Sequence, residues 1–325
     1  MKDERRSRIA LISGLILEQL ILSSCIRPQL TKVDRTEMAF GSYVRICALG
    51  PDSETVHHAV AQAFSELHRL DTLWSQFLPG SEVVRLNQRR RTGVTPETGE
   101  LLRTAVAGGW KTQGAFDLTV QPLLAAWGFY DGRYRLPDSD ELSRLVSRVD
   151  FQKVMIAGDS VVLGDSVMVD LGGIAVGQAV DRAVEVLKGC GVVQGLVDAG
   201  GDIRVFGNRV WRIGVQDPRG PDVLRVLRVN NRAVATSGDY QNYFEHGGRR
   251  YCHILNPKTG YPATGCMSVT VLAPDAVSAD LWSTALFVLG PEGLKALGAA
   301  DSNLGAIMVV TEQNRPKIIS AGRIE

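Results

Sequence analysis

From Val154 onward, short runs of β-branched and aliphatic residues recur between glycine-bearing turns. Residues 154–169 read as a hairpin about Gly158-Asp159-Ser160, and strands at 192–197 and 203–206 flank Asp198-Ala199-Gly200-Gly201-Asp202. Further strands are expected at 211–215, 224–229, 233–237, 268–272 and 305–310. The first half differs. Val56, Val60, Ala63, Phe64, Leu67 and Leu70 fall three or four apart and predict an amphipathic helix over 54–74, after an alternating first strand at 38–46. Other helices are expected at 96–111, 174–188 and 278–289. Helices early and hairpins late imply an α+β fold, with largely antiparallel or mixed sheets and helices packed on them. No tandem repeat or composition break divides 36–325, which reads as a single domain.

The N-terminus reads as a targeting segment. Lys2, Arg5, Arg6 and Arg8 precede an apolar stretch over 9–22 that is short for a membrane span, as in a secretory signal. Leu22-Ser23-Ser24-Cys25 resembles a bacterial lipobox, whose cysteine becomes lipid-modified. Residues 1–25 are thus expected to be a signal and anchor, and 26–35 a tether. A net charge of +1 argues against a dedicated nucleic-acid binder. The other four cysteines show no metal-like spacing and read as buried free thiols.

Four segments carry chemical potential. Asp170-Leu171-Gly172-Gly173-Ile174-Ala175-Val176-Gly177-Gln178 leads through two glycines into a helix N-terminus, where free N–H groups and the dipole favour a pyrophosphate; a plain strand-to-helix turn has the same composition. Asp280 and Thr284 are four apart on one helix and offer hard oxygen ligands suited to Mg²⁺, although an acid early in a helix also serves as a cap. His253 is a candidate general base or a structural histidine. Phe116, Trp127 and Phe129, with Asp117, could wall a flat heteroaromatic ring or simply form core.

In this order these segments resemble the FAD:protein FMN transferase family, the ApbE or Ftp proteins once labelled thiamine-biosynthesis lipoproteins. The resemblance runs from Met38 to Gly290 and includes Phe40-Gly41-Ser42, Ser81 to Asn87, Gly200-Gly201-Asp202, Thr236-Ser237-Gly238-Asp239-Tyr240, His253 to Pro262 and Ala279 to Phe287. It implies Mg²⁺-dependent transfer of the FMN half of FAD to a Thr or Ser hydroxyl of a partner protein, with release of AMP. The usual acceptors are flavoprotein subunits of membrane redox complexes, met on the periplasmic or outer face of the bacterial inner membrane. By the same resemblance, the metal is held by the Ala175 carbonyl, Asp280, Ser283 and Thr284. FAD is contacted by Phe40, Phe77, Ala115, Phe116, Asp117, Gly172, Gln178 and Ile254, and His253 and Asp280 act in catalysis. Phe40, Val176, Gln178 and Asn256 depart from the commonest family wording, and Gln178 cannot stack on a ring. The alternatives are an FAD pyrophosphatase and a flavin-binding protein without turnover.

Overall fold

A computed structural model describes residues 30–300, 302–312 and 315–324, the side chains of 296 and 298–300 excepted. The expected signal, lipobox and Cys25 lie outside these residues. Strand β1 (Thr31–Ala39) turns at Phe40-Gly41 into β2 (Ser42–Gly50). Residues 31–35, expected as tether, are therefore the first half of an edge strand. The single strand expected at 38–46 is instead the tip of this hairpin. Phe40 and Gly41 have φ of 52° and 69°, the two consecutive positive values that a type I′ turn requires. The Phe40 N–H donates to Asp71 Oδ2 at 2.8 Å, which helps hold a bulky residue in this uncommon conformation.

Helix α1 (Ser53–Trp74) starts on Asp52, whose side chain accepts from the Thr55 N–H, and buries Val56, Val60, Phe64, Leu67 and Leu70. Helices α2 (Glu82–Arg89), α3 (Pro96–Lys111), α4 (Gln121–Trp127) and α5 (Ser139–Val146) follow, with a short strand β3 (Arg91–Gly93) between α2 and α3. The hairpin of β4 (Val154–Ala157) and β5 (Ser160–Leu163) stops well before residue 169, and the chain runs irregularly into α6 (Ala175–Gly189). The remaining strands are β6 (Gln194–Ala199), β7 (Asp202–Phe206), β8 (Trp211–Gln216), β9 (Val223–Val229), β10 (Ala233–Gly238), β11 (Tyr243–His246), β12 (Arg249–Cys252), β13 (Ser268–Ala273), β14 (Gly305–Glu312) and β15 (Arg315–Gly322). Helix α7 (Ala276–Ala300) precedes β14 and is broken at Gly290-Pro291.

Eight strands form one sheet in the order β1-β2-β6-β7-β10-β13-β14-β15, and every neighbouring pair is antiparallel. The α+β expectation holds, with antiparallel pairing throughout. Side chains alternate across the sheet. Ile46, Val197, Ala235 and Val271 pack under α1, α6 and α7, while Cys47, Leu196, Val234 and Leu272 face the β8–β9 hairpin. A side lobe of α4, α5 and the β11–β12 hairpin packs around Trp127, which stacks on Tyr251 at 5.5 Å and donates its indole N–H to the Gly260 carbonyl at 2.8 Å. Cys47, Cys190, Cys252 and Cys266 are free thiols, three of them buried. Among the described residues, no helix is long and apolar enough to cross a membrane.

Candidate active site

Turns and strand ends at one edge of the main sheet enclose a cavity of about 600 Å³. Its walls are the Phe40-Gly41 turn, Ala115 to Asp117, the corner from Asp170 to Gly173, the Gly200-to-Asp202 turn, Thr236 and Ser237 at the end of β10, and His253 to Leu255.

Helices α6 and α7 assemble the polar end. Asp181 of α6, itself buried, accepts from the N–H groups of Ala276 and Val277 at 2.8 and 3.0 Å, and Asp275 accepts from Ser278 N–H at 2.9 Å. These carboxylates satisfy the orphan donors at the start of α7 and so fix where it begins. Asp280 therefore sits in the second turn, and the cap is Asp275. A Cβ at Gly177 would stand 2.5 Å from the Ala276 carbonyl oxygen and 2.9 Å from Asp280 Cβ, so only glycine permits this crossing. The Gly177 N–H donates to Asp280 Oδ2 at 3.2 Å. Gly173 likewise brings the corner against α7, since a Cβ there would lie 3.1 Å from Thr284 Oγ1.

An oxygen cluster results. Ser237 Oγ is 2.8 Å from Ser283 Oγ and 3.4 Å from Thr284 Oγ1, and the Ser283 hydroxyl donates to the Asp280 carbonyl at 2.9 Å. Asp202 faces the same end of the cavity as Asp280, and the two carboxyls interact. Burial, and then the Asp280 charge, holds Asp202 well above the ordinary carboxylate range; burial also raises Asp280. Burial and like charge thus favour the protonated forms, and a cation bound between them would favour the ionised ones. This donor set fits Mg²⁺, which takes hard oxygens and commonly completes its shell with substrate phosphate and water. Among the described residues, no group of three or more His, Cys, Asp or Glu side chains forms a separate metal cluster.

His253 stands across the cavity, just after β12. Its backbone N–H and ring Nδ1 both meet the Asn242 carbonyl, at 3.0 and 3.1 Å. A carbonyl only accepts, so Nδ1 carries the proton and Nε2 keeps its lone pair. The ring retains some solvent contact, yet burial lowers its pKa below the ordinary imidazole value, against smaller opposing effects of the Asn242 carbonyl and the Asp170 charge. A neutral ring with an open Nε2 is the state a general base requires. Asp170 accepts from the Tyr130 hydroxyl at 2.6 Å and from the Gly172 N–H at 2.7 Å, and burial raises its carboxyl.

Of the residues singled out in the sequence, Phe40, Ala115, Phe116, Asp117, Gly172, His253, Ile254, Asp280 and Thr284 line the cavity. Ser283 lies behind Asp280, and Ala175 opens α6 between Gly173 and Gly177. Phe77 and Gln178 do not line it. Phe77 is 68% exposed and packs edge-on against Tyr130 at 6.1 Å. Val176 takes the cavity-facing position on α6, and a residue two further on turns about 200° away. Asp117 reaches the wall with its oxygens committed: Oδ1 accepts from Thr119 N and Oγ1 at 2.8 and 2.6 Å, and Oδ2 from Phe151 N at 3.2 Å. These bonds brace its own turn. Sequence reasoning assigned no role to Asp170, Asp202, Ser237 or Asn242, which all line the cavity. Their one signal was position, each at the mouth of a glycine turn or just after one.

The sequence profile of the ApbE family matches residues 40–308. The chain belongs to the ApbE family. Its curated relatives include proteins named FAD:protein FMN transferase from Haemophilus influenzae, 31% identical with 94% of each chain covered, and from Treponema pallidum, 32% identical with 83% of this chain and 82% of the relative covered. An ApbE protein from Thermotoga maritima superposes with a TM-score of 0.83 at 34% identity, over 89% of this chain and 96% of that one. The flavinyl transferase ApbE of Pseudomonas stutzeri superposes with a TM-score of 0.80 at 32% identity, covering 90% and 95%.

Proposed function

We propose that this ApbE-family chain is an FAD:protein FMN transferase, moving the FMN half of FAD to a threonine or serine hydroxyl of another protein and releasing AMP. One observation carries the reading: the neutral His253 faces the same cavity as the Asp202–Asp280 oxygen cluster. Phe40, Phe116 and Ile254 supply apolar wall for a flavin ring, and the glycine corner lets a pyrophosphate approach the N-terminus of α6. Asp280, Thr284 and the Ala175 carbonyl would hold Mg²⁺, with Asp202 and Ser283 beside them. Bound there, Mg²⁺ would offset charge building on the pyrophosphate.

The acceptor oxygen bonds to the phosphorus of the FMN phosphate as the bond from that phosphorus to the AMP oxygen breaks. His253 Nε2 takes the hydroxyl proton, a contribution of about 10²–10⁴-fold. The nucleophile comes from the acceptor, so this chain needs no serine or cysteine of its own. Acceptors of this kind are flavoprotein subunits of membrane redox complexes, and the signal-like residues 1–25 support export and anchoring through Cys25 on the periplasmic or outer face of the bacterial inner membrane.

The test mixes the protein with FAD, Mg²⁺ and a threonine-bearing acceptor domain, and follows acceptor mass and flavin fluorescence after denaturation. The acceptor should gain one FMN unit less water, and Asp280→Ala should abolish the gain. Free FMN and AMP with an unmodified acceptor would mean hydrolysis instead.

A further inference from the structure

We propose that Asp239, gripped by Arg219 and Arg250, is a positioning residue for the transfer: it fixes the segment that sets His253 and the oxygen cluster at their working separation. This rests on the transferase reading. The segment is Thr236-Ser237-Gly238-Asp239-Tyr240-Gln241-Asn242, and both ends touch the chemistry. At one end Ser237 Oγ meets Ser283 and Thr284; at the other the Asn242 carbonyl accepts from the His253 backbone N–H and from ring Nδ1, the second contact fixing the tautomer. The first three of these residues end β10, and past Gly238 the chain has not yet entered β11. Beyond the Asp239 N–H bond to Met267 the sheet ladder no longer holds it.

Asp239 supplies the missing hold. Arg219 Nη1 and Nη2 donate to Oδ1 and Oδ2 at 2.7 and 2.6 Å, a fork that fixes orientation as well as distance. Arg250 of β12 approaches Oδ1 at 3.6 Å from the other side, while its guanidinium lies 4.0 Å over the Tyr243 ring. The Asp239 N–H donates to the Met267 carbonyl at 3.0 Å, so the backbone here is pinned too. Arg219 belongs to the β8–β9 connection, whose hairpin covers the opposite face of the sheet. Its loop is itself braced, with Asp217 Oδ1 accepting from Arg219 N at 2.8 Å and the Asp217 N–H donating to the Asp222 carbonyl at 2.8 Å. A rigid arm thus reaches around from the far layer, and β12 grips the same carboxylate through Arg250, three residues before His253. The side chain of Asp239 is only 16% exposed, which limits how far solvent weakens the fork.

The experiment compares wild type, Arg219→Ala, Arg219→Lys and His253→Ala, using steady-state FMN transfer with FAD and acceptor varied, alongside thermal melts. Loss of the fork should lower kcat on the order of ten- to a hundredfold, the scale of a misplacement near 1 Å, with KM for FAD within about twofold of wild type. Arg219→Lys should fall between, because an ammonium cannot make both bonds. Millimolar guanidinium should restore part of kcat in Arg219→Ala and none in His253→Ala. Wild-type kcat in folded Arg219→Ala, a rise in KM with kcat unchanged, or a loss that merely tracks the unfolded fraction and resists guanidinium overturns the proposal. Absence of transfer in wild type would instead remove the transferase reading itself.

Discussion

Replacing Gly177 by alanine tests how closely α6 and α7 must cross. The added Cβ would lie 2.5 Å from the Ala276 carbonyl oxygen, and ordinary contact begins at 3.4 Å, so the helices must part by about 0.9 Å. Backbone atoms make the clash, and no rotamer relieves it. The same shift carries the 3.2 Å hydrogen bond from Gly177 N–H to Asp280 Oδ2 out to about 4.1 Å, well past the roughly 2.7–3.2 Å of ordinary N–H···O bonds. Overpacking costs about 1–3 kcal/mol and an unsatisfied buried acceptor about 1–3 kcal/mol, while alanine returns close to 1 kcal/mol of helix propensity. The net loss should be about 1–5 kcal/mol, and at roughly 2 °C for each kcal/mol in a domain this large Tm should fall by roughly 2–10 °C. Transfer should fall further, by about 10²-fold, because Asp280 moves with the crossing. Circular-dichroism melts and the acceptor fluorescence assay read the two effects. Gly189→Ala, at the far end of α6 where a Cβ meets nothing within 4 Å, is the control and should leave both unchanged. A Gly177→Ala protein with wild-type melting and Mg²⁺ affinity would refute the close crossing.

His253→Gln should reduce kcat by about 10²–10⁴-fold while the protein still binds FAD, as judged by flavin fluorescence quenching. The folded imidazole has a lowered pKa, so wild-type stability is fully present above about pH 6.5 and is lost as pH falls through the folded value; His253→Gln should flatten that acid-side slope in chemical denaturation, and an unchanged slope counts against a neutral ring. Asp202 and Asp280 have raised pKa values, Asp280 up to about 7, so without metal their contribution is lost as pH rises through the folded values. Mg²⁺ should therefore raise Tm more at pH 8 than at pH 5.5 relative to EDTA. Equal shifts at both pH values would dissociate the acid pair from metal binding.

Elements whose burial follows a simple period were legible in the sequence. Helices α1, α3 and α6 lie within a residue or two of their expected bounds, because Val56, Val60, Phe64 and Leu67 repeat at the spacing that one buried face demands. The β1–β2 turn was not legible, since phenylalanine rarely adopts positive φ and the Asp71 contact that helps hold Phe40 there comes from 31 residues away. Helices α2, α4 and α5 are each only seven or eight residues long, too short to display a period. The site divided in the same way. Asp280 and Thr284 share a helix face and could be paired by spacing alone, whereas Asp202 acquires its partner only when two sheet turns and α7 meet. Gln178 shows the opposite limit: a motif match assigns a position, while helix rotation decides which side chain sees the cavity.

The cavity draws on Phe40 near the start of the described chain and Thr284 near its end, with Asp170, Asp202 and His253 supplied between. No contiguous stretch holds even half of that set. A nascent chain thus has nowhere to lodge a flavin nucleotide until its last long helix has emerged and docked, and a fragment ending before that helix should be blind to the ligand.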